Sequence, residues 1–195
     1  MGGAGSFGRR RRGTGSGSGV DSGSGSAEGA GEGTSAPERR RRPEPTPGQR
    51  AMGLLVRREH SRKELARKLE ARGVDGDEAA ATVARMAEAG WQDDARFATG
   101  LARSRALAGY GPLRIRAELS THGLGQDLVQ AAFDALSESG DDDWRTMARG
   151  LVERRHGAGV VDDPALRRKA ADFLFRRGFD GDTVRAATAF DFDDA

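Results

Sequence analysis

The sequence predicts an all-α protein, a tandem array of three three-helix repeats, elongated and curved, behind a disordered N-terminal tail. Three observations predict it. One segment recurs three times, each copy ends in the same glycine-centred helix stop, and no stretch alternates with period two over a useful length, so no sheet is expected. The copies begin at Ser61, Gly111 and Asp163 and carry their glycines at Gly73, Gly123 and Gly178. The offsets are 50 residues (73 to 123) and 55 residues (123 to 178). A stack of small helical units usually offers an extended binding surface rather than a catalytic pocket.

The tail is residues 1–49. It is mostly Gly, Ser, Arg, Glu and Pro, with Phe7 and Val20 among its few sizeable apolar residues. Such a segment cannot bury enough surface to offset chain entropy, so disorder is expected. Residues 50–195 leave 146 positions, enough for one compact domain or a short array of small ones.

Repeat 1 is expected over residues 50–90, with its first helix at about 50–59. Ser61 with Glu64 three residues on reads as a capping box that starts the second helix. Leu65 and Leu69 give that helix a narrow apolar stripe. Gly73 stands where the chain must turn left-handed, and Val74 can meet Leu69 in the apolar contact of a Schellman stop. The third helix runs through Val83 and Met86.

Repeat 2, residues 91–139, follows the same plan. Asp93 and Asp94 precede a first helix at 94–108, where acids cap free N–H groups and favour the dipole. Gly111-Pro112 opens the second helix with Pro at its first position. Ile115 and Leu119 form its stripe, Gly123 and Leu124 its stop, and Val129, Phe133 and Leu136 mark the third helix. Repeat 3, residues 140–195, has Asp141 to Asp143 before a first helix at 143–156. Asp163-Pro164 starts its second helix, Ala170 and Leu174 form the stripe, Gly178 and Phe179 the stop. The third helix passes through Val184 and Ala187, ahead of a short acidic C-terminus. The same Asp follows each stop, at Asp77, Asp127 and Asp182.

Charge narrows the function. The sequence pI is about 9.5. The tail, however, holds eight Arg and five acids, a net of +3, whereas residues 50–195 hold 24 basic and 25 acidic residues, a net of −1. Any nucleic-acid footprint must therefore come from local patterning. The candidates are Arg57, Arg58, Arg62, Lys63, Arg67, Lys68 and Arg72 in the first repeat, and Arg103, Arg105, Arg114 and Arg116 in the second. An Arg-rich face with interspersed Glu is more often a solvated surface. The runs Arg9–Arg12 and Arg39–Arg42 read as basic arms with non-specific phosphate affinity, or as unselected tail sequence. Trp91, Phe97, Tyr110, Trp144, Phe173 and Phe179 sit at helix starts, stops or stripes, which suits core packing better than base stacking.

No catalytic motif emerges. The chain has no Cys, no run of membrane-spanning length and no apolar h-region near its N-terminus, which points to a soluble, cytoplasmic protein. His60, His122 and His156 do not form a metal-binding pattern, and Asp141 to Asp143 lack the spacing of a calcium loop. The glycines between Gly13 and Gly19 follow no strand, so they are not read as a phosphate loop. No enzyme, metal or cofactor is expected.

Four stretches, in this order, carry a resemblance to a known family. They are Arg57-Arg58-Glu59-His60-Ser61-Arg62 with Glu64-Leu65; Gly90-Trp91 with Asp93-Asp94-Ala95-Arg96-Phe97-Ala98; Gly109-Tyr110-Gly111-Pro112 with Arg114-Ile115 and Glu118-Leu119; and Phe173-Leu174 with Arg176-Arg177-Gly178-Phe179. Over about residues 51–190 the chain resembles the RecX family, regulators of the RecA recombinase. Gln92 departs from the apolar residue the family often has there. The resemblance implies an all-helical repeat array that binds along the RecA–single-stranded DNA filament and damps its ATPase and strand exchange without a catalytic set; separately, the chain is expected to be a monomer. The eleven cations above are then the expected filament or DNA contacts. Two other readings stay open, a helix-turn-helix-like module that binds duplex DNA and a helical scaffold for another protein.

Overall fold

A computed structural model of the chain describes residues 44–157, 160 and 162–189. The expected disorder of the tail concerns residues that lie almost wholly outside this range. Among the described residues the fold is all-α: α1 (Pro47–Leu55), α2 (Arg62–Glu70), α3 (Gly76–Glu88), α4 (Asp94–Leu107), α5 (Pro112–Thr121), α6 (Gln126–Glu138), α7 (Trp144–His156), α8 (Pro164–Arg177) and α9 (Gly181–Thr188). They fall into three groups of three. In each group the third helix packs on the first two.

Two local expectations need correction. The first helix is not 50–59 but Pro47–Leu55, so its first turn lies in the stretch assigned to the tail. Its start is a complete capping box. Thr46 accepts from the Gln49 amide, and the Gln49 side chain accepts from the Thr46 amide. The box expected at Ser61 is only half made. Ser61 does accept from the Glu64 amide at 3.1 Å, but the Glu64 carboxylate turns to Arg58, His60 and Lys68 instead.

All three glycine stops take the left-handed backbone the sequence indicates, and the first and third add the long bond of a Schellman stop. Gly73, Gly123 and Gly178 have φ of 81°, 75° and 85°. After the first, the Val74 amide donates to Leu69 O at 3.2 Å, and after the third the Phe179 amide donates to Leu174 O at 3.2 Å, the long bond of a Schellman stop. The repeated Asp residues sit in the first turns of α3, α6 and α9, whereas Asp75 and Asp180 provide the side-chain caps of α3 and α9.

Each repeat has its own core. Ala51, Leu54, Leu65, Leu69, Val74 and Val83 fill the first. Ile115, Leu119, Phe133 and Leu136 with three small alanines of α4 fill the second. Ala170, Phe173, Leu174, Phe179 and Val184 fill the third. Trp144 and Met147 pack against both the second and the third.

The second helices of the repeats meet end to end. The carbonyls of Arg177 and Gly178, at the end of α8, accept from the Gly111 and Leu113 amides at the start of α5, at 2.8 and 3.0 Å. The Arg177 guanidinium adds bonds to the carbonyls of Ala108 and Gly109 at 2.9 and 3.0 Å. At the other junction the end of α5 meets the start of α2. Lys63 Nζ donates to Thr121 O at 2.9 Å, and Ser61 Oγ lies 3.0 Å from His122 Nδ1. In both, a negative helix end faces donors at a helix start or a cation, the favourable dipole pairing. One joint is zipped by backbone; the other is bridged by side chains.

Candidate functional site

The seam between repeats 1 and 2 gathers most of the polar chemistry. Glu64 is nearly buried, at 8% exposure, and is held by three cationic or protonatable neighbours. Arg58 grips it with both Nη groups, Lys68 Nζ stands 3.3 Å away and His60 Nδ1 stands 3.0 Å away. Burial alone would raise the Glu64 carboxyl, but Arg58, His60 and Lys68 together outweigh it and lower the pKa to about 2. Burial lowers His60, with Glu64 pulling the opposite way. The carboxylate is thus a fixed counter-charge that orders the α1–α2 turn.

A second carboxylate faces the same seam. Glu118 of α5 takes a bidentate pair from Arg105 of α4, at 2.7 and 2.6 Å, and that guanidinium holds its pKa below the ordinary value. Between the two pairs lies a groove of about 590 Å³ lined in part by Phe97, Gly100, Leu101 and His122. The His122 ring leans on Phe97, centroids 4.7 Å apart. Among the described residues no three His, Asp or Glu side chains group so as to hold a metal. No described helix is long and apolar enough to cross a membrane.

The eleven expected contact residues do not share one state. Arg58, Lys68 and Arg105 hold carboxylates of the seam, and Arg103 pairs with Asp141 at 3.0 Å. Lys63 is committed to the joint with α5. Arg72, just past the end of α2, caps that helix's Lys68 carbonyl at 2.8 Å. Arg62 leans on Gln92 and Asp94 but stays 63% exposed. Arg114 lies over the Tyr110 ring and Arg116 over the Phe133 ring, at 5.1 and 4.0 Å, both exposed. Arg57 and Arg67 are exposed and meet no carboxylate of the described residues.

Three residues that matter here were not singled out as site residues. Arg96 joins the two loops of repeat 1, binding Glu59 at 2.8 Å and the carbonyls of Gly90 and Trp91. Gln92 is 2% exposed and ties His60 O to Asp94, so the polar residue at this position has a structural use. Trp91 was expected in a core; it is 57% exposed. The other aromatics of that group, Phe97, Phe173 and Phe179, are buried, and Tyr110 and Trp144 are half-buried.

Comparison with known proteins decides the family. The first, second and third three-helix domains of RecX match residues 49–86, 93–132 and 141–188. The Regulatory protein RecX of Stenotrophomonas maltophilia (strain R551-3) is 60% identical over 149 residues, covering 76% of this chain and 89% of that protein. The chain belongs to the RecX family. The Regulatory protein RecX of Xanthomonas axonopodis pv. citri (strain 306) is 57% identical over the same length, covering 76% and 90%. The RecX fold is shared with the crystal structure of RecX from Lactobacillus salivarius, at a TM-score of 0.59 and 20% identity over 72% of this chain and 91% of that one. All three RecX domains coincide with the three helix triplets, and the polar seam lies between the first two.

Proposed function

We propose that this chain binds the RecA–single-stranded DNA filament in the cytoplasm and slows its ATP hydrolysis and strand exchange, itself catalysing nothing. The observation that carries this reading is the complete set of three RecX domains within one chain. Its relatives are named as regulatory proteins. The geometry adds a plan of contact. Helical repeats joined end to end give a long row of side chains suited to a repeating target, and exposed cations stand along α2 and α5.

The contacts fall to the cations whose charge is not already committed, Arg57, Arg67, Arg114 and Arg116, with Arg62 beside them. Arg58, Lys63, Lys68 and Arg105 serve the protein's own seam and joint. Replacing Arg62, Lys63, Arg67 and Lys68 together would therefore disturb structure as well as binding. Arg57→Ala with Arg67→Ala is the cleaner test. RecA-driven strand exchange should slow when the native chain is added and recover with this variant, most clearly at low salt. Unchanged strand exchange with the native chain would defeat the proposal. Preference for one duplex sequence would favour the duplex reader instead.

A further inference from the structure

An unbroken ladder of guanidiniums and rings crosses the joint between repeats 2 and 3. Arg155 of α7 lies over the Phe173 ring at 4.7 Å, and Arg177 lies over the same ring at 4.9 Å. Arg177 also lies over Tyr110 at 5.4 Å, and Arg114 of α5 lies over Tyr110 at 5.1 Å. The middle rung has a structural use, because Arg177 Nη1 donates to the carbonyls of Ala108 and Gly109. The end rungs have none of that kind. Arg114 and Arg155 are exposed, and among the described residues neither guanidinium meets a carboxylate or donates a hydrogen bond. Each is nonetheless held against a ring. A long side chain already ordered gives up little freedom on binding.

The charge of this face is not balanced. Glu118 shares a pocket with Arg114 and Tyr110, but both its oxygens are taken by Arg105. Asp180, which follows the joint, is spent on the amide and hydroxyl of Thr183. Glu153 and Asp172 project elsewhere, Glu153 about 200° round α7 from Arg155 and Asp172 about 100° round α8 from Phe173. Arg114, Arg155 and Arg177 are thus three cations that no described carboxylate pairs. Set against all four of those carboxylates, these three with Arg105 and the exposed Arg154 and Arg176 still leave an excess of two. The face is also poor in exposed apolar surface. Phe173 is buried and Tyr110 half-buried, and the exposed Phe175 projects from the far side of α8, about 200° from Phe173. Leu113 is the exposed apolar neighbour on α5. Protein contacts centre on apolar and aromatic side chains depleted of charge. A row of unpaired cations is instead the footprint of a phosphate backbone.

We infer that the ladder is a track for the phosphodiester backbone of one DNA strand, with Arg114, Arg177 and Arg155 each receiving a phosphate. The choice of single-stranded DNA as the source of those phosphates rests on the filament reading. Contact through the backbone alone reads no base, so oligodeoxythymidylate and oligodeoxyadenylate should depend on the ladder equally. Repeat 3 then touches the strand, beyond the cations of the first two repeats.

The test is the salt dependence of binding to a labelled oligodeoxythymidylate, read by anisotropy on the full chain without RecA. Arg114→Gln with Arg155→Gln should weaken binding roughly tenfold or more at low salt. The slope of log K against log salt should become shallower by about 1.4, two phosphate contacts' worth, whatever the other cations contribute. Arg114→Lys with Arg155→Lys keeps both charges and should keep the slope. A purely structural ladder would instead lower the melting temperature of the Gln pair and leave its slope unchanged. Should that pair fail to fold, Arg155→Gln alone, at the outer end, should make the slope shallower by about 0.7. A native slope in the Gln variants, no binding of the oligonucleotide by the native chain, or a loss seen with duplex only overturns the inference. So does a Gln pair that loses its action on RecA while binding the oligonucleotide as before, since the face would then meet protein. If the native chain slows RecA and the slope does not move, the filament reading survives and the ladder inference fails. If the slope moves and RecA is unaffected, the reverse holds.

Discussion

Gly111→Ala should loosen the joint between repeats 2 and 3. Gly111 has φ of −82°, so alanine suffers no backbone strain there, and the effect is one of contact alone. A Cβ on Gly111 would lie 2.4 Å from Gly178 O, with further backbone atoms at 2.5 Å. Ordinary carbon–oxygen contacts need about 3.3 Å, so the two segments must part by roughly 0.9 Å. That would stretch the bonds from the Gly111 and Leu113 amides, now 2.8 and 3.0 Å, beyond hydrogen-bonding range. Two lost backbone bonds, with the groups partly buried, cost about 2–4 kcal/mol. The melting temperature should fall by roughly 5–15 °C. Hydrogen exchange should quicken at Gly111 and Leu113 and at the start of α5. Stability within about 0.5 kcal/mol of native, with exchange unchanged at those amides, would refute the reasoning.

Gly123→Ala separates strain from contact. Its φ is 75° but its Cβ meets only Lys63 Cδ at 3.5 Å, so a loss of about 1 kcal/mol is expected in denaturant melts, whereas Gly100→Ala, mid-helix with nothing within 4 Å, should gain about 0.5–1 kcal/mol. Glu64→Gln tests the seam through pH. A carboxyl lowered from 4.5 to about 2 stabilises the fold above pH 4.5 and loses that contribution as pH falls toward 2. The variant should therefore be less stable than native by on the order of 3 kcal/mol at pH 7 and nearly equal to it near pH 2, and a constant difference across that range would contradict the pairing. A chain of residues 44–195 should melt within a few degrees of the full length, but 50–195 should melt lower. The shorter chain lacks the Thr46 cap, the first turn of α1 and the Glu44–Arg50 pair at 3.2 Å.

The repeat plan was legible because its signals are local. Proline at the start of α5 and α8, capping acids before α4 and α7, and glycine at each stop act within a few residues, so the sequence shows them directly. The missed start of α1 was also local: Thr46 and Gln49 carry the box, but the biased composition before them drew the boundary too late. The joints were not legible. That Gly111 must approach Gly178 depends on how two repeats dock, and the spacing of one chain holds no trace of it. The site suffered most from this. Arg-rich stretches marked where cations are, yet only the fold shows that Arg58, Lys68 and Arg105 are held by Glu64 and Glu118 while Arg57 and Arg67 are not. Trp91 follows a stop, as core aromatics often do; its exposure arises because Gln92, not Trp91, turns inward.

The most direct measurement is the single-stranded-DNA-dependent ATPase of the cognate RecA, titrated with this chain from well below one to several chains per RecA at two salt concentrations. The expected result is a fall in hydrolysis at or below one chain per RecA, with no hydrolysis by the chain alone and a weaker effect from the Arg57→Ala, Arg67→Ala variant. An ATPase unchanged at every ratio and both salt concentrations would contradict the assignment of this chain as a filament regulator.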